Sequence, residues 1–473
     1  MKICLRLFYC WINNTKTKEV CAIFGVSING RYGEEAAVLT YAGLLSIQHR
    51  GQEGAGIAVI SGKTIVCHKN RGLVSEVFSG NVLDGLESRA AVGQCQYSTA
   101  AARDNTGENI QPFFTEYLTG RIATVHSGNI TNAKDLREEL MTYGIAFMGM
   151  SDSEVISKLI AYHCTKEKNV LSGIKVASEL LKGAFSLIIL STENDKLIAV
   201  RDSSGFKPLC IGKNGQGVAV TSESCALDTC GFDFMRDVKP GEVVVIENGE
   251  ITYEEVVLTP KIKNTGICIF EYVYFARPDS FIDNQSIFEA RMNMGKILAK
   301  ESPVEADIIC GIPDSGIEPA MGYSEESKLP LAQGLIRNRY IGRSFIYPTQ
   351  VQRENAVKLK FNVLKSNIES KRIVLVDDSI VRGTSTKIIV GMMKNAGAKE
   401  VHIRIASPPA KYVCHYGIDT KSEKDLIASR LGISELRREI GADSLGYISI
   451  DGLKEACGKC SLPLCSHCFE RQE

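Results

Sequence analysis

An α+β domain followed by an α/β domain with a mainly parallel sheet is the fold class that this sequence predicts. Its length of 473 residues allows two to four domains. The first half carries short apolar runs punctuated by Gly, Asn and Asp turns, with helical patterns between them. The second half alternates strand-like and helical runs, the rhythm of a parallel sheet covered by helices.

The first half predicts strands at 56–60, 184–190, 197–200, 217–221 and 241–247, and helices at 34–48, 133–143, 153–163 and 174–181. Gly212, Gly215 and Gly217 mark a hairpin. The second half predicts a strand at 306–311, a helix at 316–326, a strand at 373–377, a helix at 385–396 and a strand at 400–406. Pro260 and Asn264 interrupt the pattern, so the expected boundary falls at 258/259, with an amino-terminal extension or propeptide at 1–20 and a cysteine-bearing segment at 451–473.

Composition narrows the function classes. Hydrophobic residues make up 44% and charged residues 23%, as in ordinary globular proteins. Lys+Arg and Asp+Glu both number 55, so nothing global points to a nucleic-acid surface. No apolar run approaches the roughly 20 residues that span a bilayer. The apolar run at 3–12 follows Lys2 and contains Arg6, but no small-residue cleavage site follows it, which favours a propeptide or a start read too far upstream over export. Of 16 cysteines, Cys67, Cys164, Cys210 and Cys310 sit singly in apolar segments, as small buried hydrophobes do. Cys457/Cys460 and Cys465/Cys468 form two Cys-x-x-Cys pairs near the C-terminus. A chain this large needs no disulfide staples, so clustered thiols suggest a metal and a reducing cytoplasm.

The most informative run is Ile373-Val374-Leu375-Val376-Asp377-Asp378-Ser379-Ile380-Val381-Arg382-Gly383-Thr384. A strand of four apolar residues ends in two aspartates, and ligands of open α/β sheets bind beyond such carboxyl ends. Adjacent carboxylates there can accept from ribose hydroxyls or hold Mg²⁺ through oxygen. The loop from Ser379 to Thr386 supplies backbone N–H groups and the hydroxyls of Thr384, Ser385 and Thr386 before a helix N-terminus, which suits a phosphate. Gly383 allows close backbone approach. The dipeptide alone would read as a solvated strand end; the whole run does not. The Gly-Lys-Ser/Thr of a Walker loop is absent.

This run resembles the type I phosphoribosyltransferases. Gly311-Ile312-Pro313-Asp314-Ser315 resembles their diphosphate loop, Arg337-Asn338-Arg339-Tyr340-Ile341-Gly342-Arg343 their closing segment, and Phe270 to Ser280 the start of the domain. Together these resemble the glutamine-dependent amidophosphoribosyltransferases, over about residue 21 to the C-terminus. The resemblance implies displacement of diphosphate from phosphoribosyl diphosphate by ammonia at the opening of purine biosynthesis. It implies Mg²⁺ on Ser315, Asp377 and Asp378, and substrate contacts from Asp314, Arg339, Arg343 and the loop Asp377 to Thr386. Lys358 and Lys360 follow Arg353 where the family often has arginine; a lysine keeps the charge and loses the fork. A cluster-bearing branch of the family further implies a [4Fe–4S] centre on Cys268, Cys414, Cys465 and Cys468. The rival is zinc on Cys457, Cys460, Cys465 and Cys468, whose pairs lie closer together than those of zinc ribbons. The family also implies a tetramer inhibited by purine nucleotides.

In the first half, Cys21-Ala22-Ile23-Phe24-Gly25 resembles the start of the family's glutaminase domain, an N-terminal-nucleophile fold of four αββα layers. Its cysteine acts as the first residue of the mature chain, so residues 1–20 would have to be removed, and Val20 stands where processed relatives carry Glu. The segment from Gln48 to Gly56, including His49 and Arg50, and Asp152, which would bind the amino group of glutamine, match. Gly128 and Asn129 match as catalytic positions beside Cys21. Two positions depart. The family's His-x-Arg-Tyr-x-Thr becomes Gln94-Cys95-Gln96-Tyr97-Ser98-Thr99, which replaces the arginine that grips the substrate carboxylate. Its His-Asn-Gly-Asn becomes His126-Ser127-Gly128-Asn129, which replaces a side-chain oxyanion donor. Losing one such donor costs on the order of 10²–10³ in turnover, and a charged hydrogen bond about 1.5–3 kcal/mol. The resemblance with these departures implies a member of that family with impaired glutamine hydrolysis, working on free ammonia. The alternatives are a non-catalytic protein that binds phosphoribosyl diphosphate or nucleotide, and an inactive paralogue of a working copy.

Overall fold

A computed structural model describes residues 21–31, 33–97, 108–259, 266–338, 340, 359–417 and 422–471. Two compact units emerge, Met1–Ile267 with His415–Asp419, and Cys268–Cys414 with Thr420–Glu473. The second unit therefore starts later than the boundary expected at 258/259. The C-terminal segment belongs to it and is no separate piece, because Ile269 N–H donates to the Cys465 carbonyl at 3.1 Å.

Among the described residues of the first unit thirteen strands run in order: β1 (Ala22–Ile28), β2 (Gly54–Ser61), β3 (Thr64–Arg71), β4 (Ala90–Gln96), β5 (Phe113–Tyr117), β6 (Gly120–Ile130), β7 (Gly183–Ser191), β8 (Lys196–Arg201), β9 (Cys210–Lys213), β10 (Gly217–Thr221), β11 (Asp233–Asp237), β12 (Glu242–Glu247) and β13 (Glu250–Val256). They form an antiparallel seven-stranded sheet, β11-β9-β10-β1-β4-β2-β3, and an antiparallel six-stranded sheet, β13-β12-β8-β7-β6-β5. The expected hairpin is β9–β10.

The period-two alternation of the strands sorts their side chains into three apolar layers. Phe24, Val26 and Ile28 of β1 pack with Ala36, Ala37 and Leu44 of the helix Ala36–Ser46. Leu187 and Ile189 of β7 and Ile198 and Val200 of β8 pack with Leu136, Val155, Ile160 and Ile174 of the helices Ala133–Thr142, Asp152–Glu167 and Val170–Leu180. The alternate residues, Ile23, Val92, Val125, Ile188, Leu190, Leu197 and Ala199, meet between the sheets. Helix, sheet, sheet, helix is thus the layer order, as the family resemblance implied. Helix Asp152–Glu167 begins where Ser151 accepts a hydrogen bond from the Ser153 N–H at 3.1 Å.

Among its described residues the second unit holds four parallel strands in sequence order, Ile308–Gly311, Arg372–Asp377, Glu400–Ile405 and Ser444–Tyr447. The run Ile373 to Val376 is buried throughout, as the centre of a doubly covered parallel sheet requires. Helix Ile287–Glu301 and helix Ile317–Ser327 approach so closely that a Cβ on Gly322 would stand 1.9 Å from the Met292 carbonyl oxygen. Among the described residues no helix is long and apolar enough to cross a membrane.

Candidate active sites

The polar end of the inter-sheet layer in the first unit carries the expected nucleophile. Cys21 directly precedes β1 and is fully buried. The register pairs Ala22 with Cys95, which brings Cys21 alongside Gln96 at the end of β4. Gln96 is 2% exposed, and its Oε1 has no hydrogen-bond partner among the described residues. Ser127 does not point an N–H anywhere: its hydroxyl donates to the Cys21 carbonyl at 2.7 Å. Gly128 has φ +143°, and a Cβ there would lie 2.1 Å from the Ala184 carbonyl oxygen, so only glycine fits. Asn129 Nδ2 donates to the His415 carbonyl at 2.8 Å. Asp152 is buried, and its Oδ2 accepts from the Ile130 N–H at 3.1 Å.

Several supporting residues escaped the sequence analysis. Glu223, fully buried, binds His49 at 2.7 Å and also pairs with the Arg50 guanidinium, so His49 and Arg50 share one buried carboxylate. These partners lie more than 170 positions apart in the chain, which leaves no local signal. Gly51 passes so close beneath β4 that a Cβ would stand 2.4 Å from the Cys95 carbonyl oxygen. Gln111 accepts from the His126 N–H at 2.6 Å, and Ser153 Oγ meets His126 Nδ1 at 2.9 Å. Burial holds the His126 imidazole below its usual pKa, opposed by the nearby Asp152 charge. Asp202 receives the N–H groups of Ser204 and Gly205 at 2.9 and 2.7 Å, yet burial pushes its carboxyl up to about 6.

The second unit's site gathers at the carboxyl end of the strand Arg372–Asp377. Ser315 and Ser379 hydroxyls both donate to Asp378, one to each carboxylate oxygen. The Asp378 N–H donates to Asp377 Oδ1 at 3.0 Å. Burial raises both carboxyls, and the Asp378 charge raises Asp377 further; Lys360 lies near enough to oppose this at both. The loop expected to take diphosphate is tied to the same strand by Ile312 N–H to the Val376 carbonyl at 2.8 Å. Asp314 pairs with the Arg337 guanidinium. Ile380 is buried, the Val381 carbonyl accepts from the Ile427 N–H at 2.9 Å, and Gly383 takes φ +76° immediately before helix Thr384–Asn395. Arg382, Thr384, Ser385 and Thr386 complete the loop and the first helical turn. Arg339, Arg343, Arg353 and Lys358 lie outside the described residues.

The chain matches the family model of the glutamine amidotransferase domain at 77–229 and that of the phosphoribosyl transferase domain at 281–421. It is 46% identical over 457 residues to an amidophosphoribosyltransferase of Methanocaldococcus jannaschii, covering 94% of this chain and 96% of the relative. It is 43% identical to that of Bacillus subtilis, over 93% and 90% of the two chains. This chain belongs to the amidophosphoribosyltransferases. A solved structure described as the allosteric regulatory enzyme of purine biosynthesis superposes with a TM-score of 0.86 at 41% identity, over 96% of both chains. The glutamine phosphoribosylpyrophosphate amidotransferase of B. subtilis complexed with ADP and GMP gives 0.85 at 41%, over 96% and 97%. An amidophosphoribosyltransferase acts at the first step of purine biosynthesis, and both halves of such an enzyme are present here, amidotransferase first and phosphoribosyltransferase second.

The cysteines separate into two groups. Burial raises the Cys468 thiol well above its ordinary value, and the neighbours that add to the shift are Cys268, Cys414 and Cys465. The backbone gathers them: strand Ile267–Cys268 pairs with Leu464–Cys465, and the Lys411 and Tyr412 N–H groups donate to the Cys468 carbonyl at 2.9 and 3.1 Å. Cys457 and Cys460 instead lie beside Tyr272 and Asp283. Among the described residues no group of three or more His, Cys, Asp or Glu side chains is arranged to hold a metal ion.

Proposed function

We propose that this amidophosphoribosyltransferase forms phosphoribosylamine from phosphoribosyl diphosphate with ammonia as its effective nitrogen donor, glutamine hydrolysis being impaired. The carrying observation is the bond from the Ser127 hydroxyl to the Cys21 carbonyl. At the position of a side-chain oxyanion donor, this short side chain is already committed to the nucleophile's own backbone. Gln96 adds a neutral amide where a carboxylate of substrate needs a cation. Gly128 still offers its backbone N–H. Full use of Cys21 would further require removal of residues 1–20.

In the transferase half, the reacting carbon acquires positive character as diphosphate leaves, so the site must neutralise the leaving group and exclude water. The loop N–H groups and the Thr384, Ser385 and Thr386 hydroxyls suit the 5′-phosphate; Asp377 and Asp378 suit the ribose hydroxyls. Ser315, Asp377 and Asp378 present the all-oxygen donor set that Mg²⁺ takes when it shares a site with phosphates. Bound there, Mg²⁺ would neutralise diphosphate charge. Asp314 with Arg337 shapes the diphosphate loop, and Arg339 and Arg343 would meet the diphosphate itself.

Cys268, Cys414, Cys465 and Cys468 fit a [4Fe–4S] cluster, a redox and structural group that takes four thiolates. The rival zinc set would require Cys457 and Cys460 to join Cys465 and Cys468, and their surroundings favour a separate role. Purine-nucleotide feedback draws support from the ADP and GMP named with the B. subtilis structure; a homo-oligomeric enzyme of a reducing cytoplasm completes the reading.

The test is purified protein assayed with phosphoribosyl diphosphate and Mg²⁺, given ammonia or glutamine side by side. Ammonia should support turnover far better than glutamine, and Asp378→Asn should remove most of it while the fold persists. Well-folded protein with no ammonia-dependent turnover would overturn the catalytic reading. Efficient glutamine use after exposure of Cys21 would overturn the impairment.

A further inference from the structure

Cys457 and Cys460 take no part in either active site. Helix Ile450–Ala456 ends at Cys457, and the Cys460 N–H donates to the Cys457 carbonyl at 3.1 Å. A hydrogen bond between residues three apart closes a turn whose end Cα atoms lie under about 7 Å from each other. The Cα atoms of a disulfide are usually about 4.4–6.8 Å apart, so this turn sets the span that a bridge needs. The two thiols also share one neighbourhood. Burial raises the Tyr272 phenol, and Cys460 and Cys457 both add to that shift; burial likewise raises Cys457, and the Cys460 charge raises it further.

The turn is held on its outer side by contacts that a bridge would not disturb. Lys459 N–H donates to Gln285 Oε1 at 3.3 Å, and its ammonium pairs with Glu289 at 2.6 Å. Asn284 Nδ2 donates to Ser461 Oγ at 3.1 Å, and Leu462 N–H donates to Asp283 Oδ2 at 2.6 Å. Access to the two sulfurs is unequal: Cys460 is half-buried, whereas Cys457 is 1% exposed. One thiol can meet a reagent from solution and the other can only follow. Burial pushes the Cys460 thiol up to about 11. Thiolates are then scarce at neutral pH, so oxidation is slow. The reduced pair gains no stability from a thiolate either, so a bridge once formed resists reduction.

We propose that Cys457 and Cys460 are a redox modification site, at which a low-molecular-weight disulfide installs an intramolecular disulfide that staples this turn. The Cys460 thiolate attacks one sulfur of the oxidant, forming a mixed disulfide and releasing one small thiol. The Cys457 thiolate then attacks the Cys460 sulfur and expels the second small thiol. Two protein thiols give up two electrons and two protons, and the oxidant leaves as two thiols. The chain continues from the stapled turn into the strand Leu464–Cys465, which pairs with Ile267–Cys268. The staple thus sits at the root of the segment that carries Cys465 and Cys468.

The test is the full chain, prepared anaerobically, incubated with oxidised glutathione and then denatured in an alkylating quench before peptide mapping. Trypsin cuts after Lys459, so a bridge leaves the Cys457 and Cys460 peptides joined, with Cys465 and Cys468 alkylated; dithiothreitol should separate them. Cys67 is the control, a half-buried single thiol that burial also pushes up to about 11; it should stop at the mixed disulfide. Cys457→Ser should make Cys460 stop there too. Oxidation should raise the melting temperature of wild type by a few degrees and leave that of Cys457→Ser unraised. Glutathione that persists on wild-type Cys460 as it does on Cys67, a bridge from Cys460 to Cys465 or Cys468, or both thiols alkylated while Cys67 is oxidised would overturn the proposal. The wild-type map decides among these outcomes even should the variant fail to fold.

Discussion

On the proposed reading, Gln96 and Ser127 each change one contact at a different stage, one on substrate binding and the other on the oxyanion. Gln96→Arg together with Ser127→Asn should therefore raise glutamine-dependent kcat/KM by at least about tenfold, given the 10²–10³ attached to one oxyanion donor, and by more than either change alone. Steady-state kinetics of the four proteins, with Cys21 exposed, decide it; a double variant no better than its singles would show that another group sets the limit. His126 carries a second residue-scale expectation. Its folded pKa lies below the usual value, so the unfolded chain binds the extra proton first. Its stability contribution is complete above the ordinary histidine pKa of about 6.5 and is lost as pH falls below it. Melting temperatures of wild type and His126→Asn, compared from pH 8 to pH 5, should converge toward acid. Glu223 offers a third: with Arg50 buried beside it, Glu223→Gln leaves a cation without its counter-charge and should cost roughly 3 kcal/mol or more in denaturant unfolding.

At the scale of elements, β6 and the strand Arg372–Asp377 do similar work: each ends an apolar run at the place where chemistry begins. β6 must carry Gly128 at φ +143° with the Ala184 carbonyl oxygen against it. Gly128→Ala therefore meets both an unfavourable φ and a backbone clash, and a loss on the order of 2–3 kcal/mol is expected. A melting temperature within a degree of wild type would show that β6 relaxes more freely than its pairing with β7 suggests. The strand Arg372–Asp377 is extended by the hydrogen bonds that its end makes to the diphosphate loop, so Asp378 and Ser315 are placed by the sheet and not by loop conformation alone.

For the whole molecule, the cysteines separate two readings by content. Anaerobically purified protein should contain iron and sulfide, Cys414→Ser or Cys468→Ser should lose them, and Cys457→Ser should keep them. Zinc without iron, removed by Cys457→Ser, is the outcome that sinks the cluster. Because metal affinity is folding energy in sites of this kind, the cluster variants should also melt at lower temperature, with the C-terminal part of the second unit the first to open.

The sequence by itself determined the transferase loop and the run of strands and helices, while the four-layer order came with the family resemblance. Period-two alternation in β7 and β8 names both faces of a sheet, and the loop from Asp377 to Thr386 is contiguous, so its donors and carboxylates are fixed by local spacing. Helix limits came within a few residues where caps are local, as at Ser151. Only tertiary structure decided what depends on residues distant in the chain. Glu223 under His49 and Arg50, Gln96 alongside Cys21, the Ser127 bond to the Cys21 carbonyl and the division of Cys457 and Cys460 from Cys468 all arise where separate segments meet. A sequence states which groups exist; which of them are buried, and whose hydrogen bonds are already taken, is set by cross-strand register and packing, and these are properties of the folded chain.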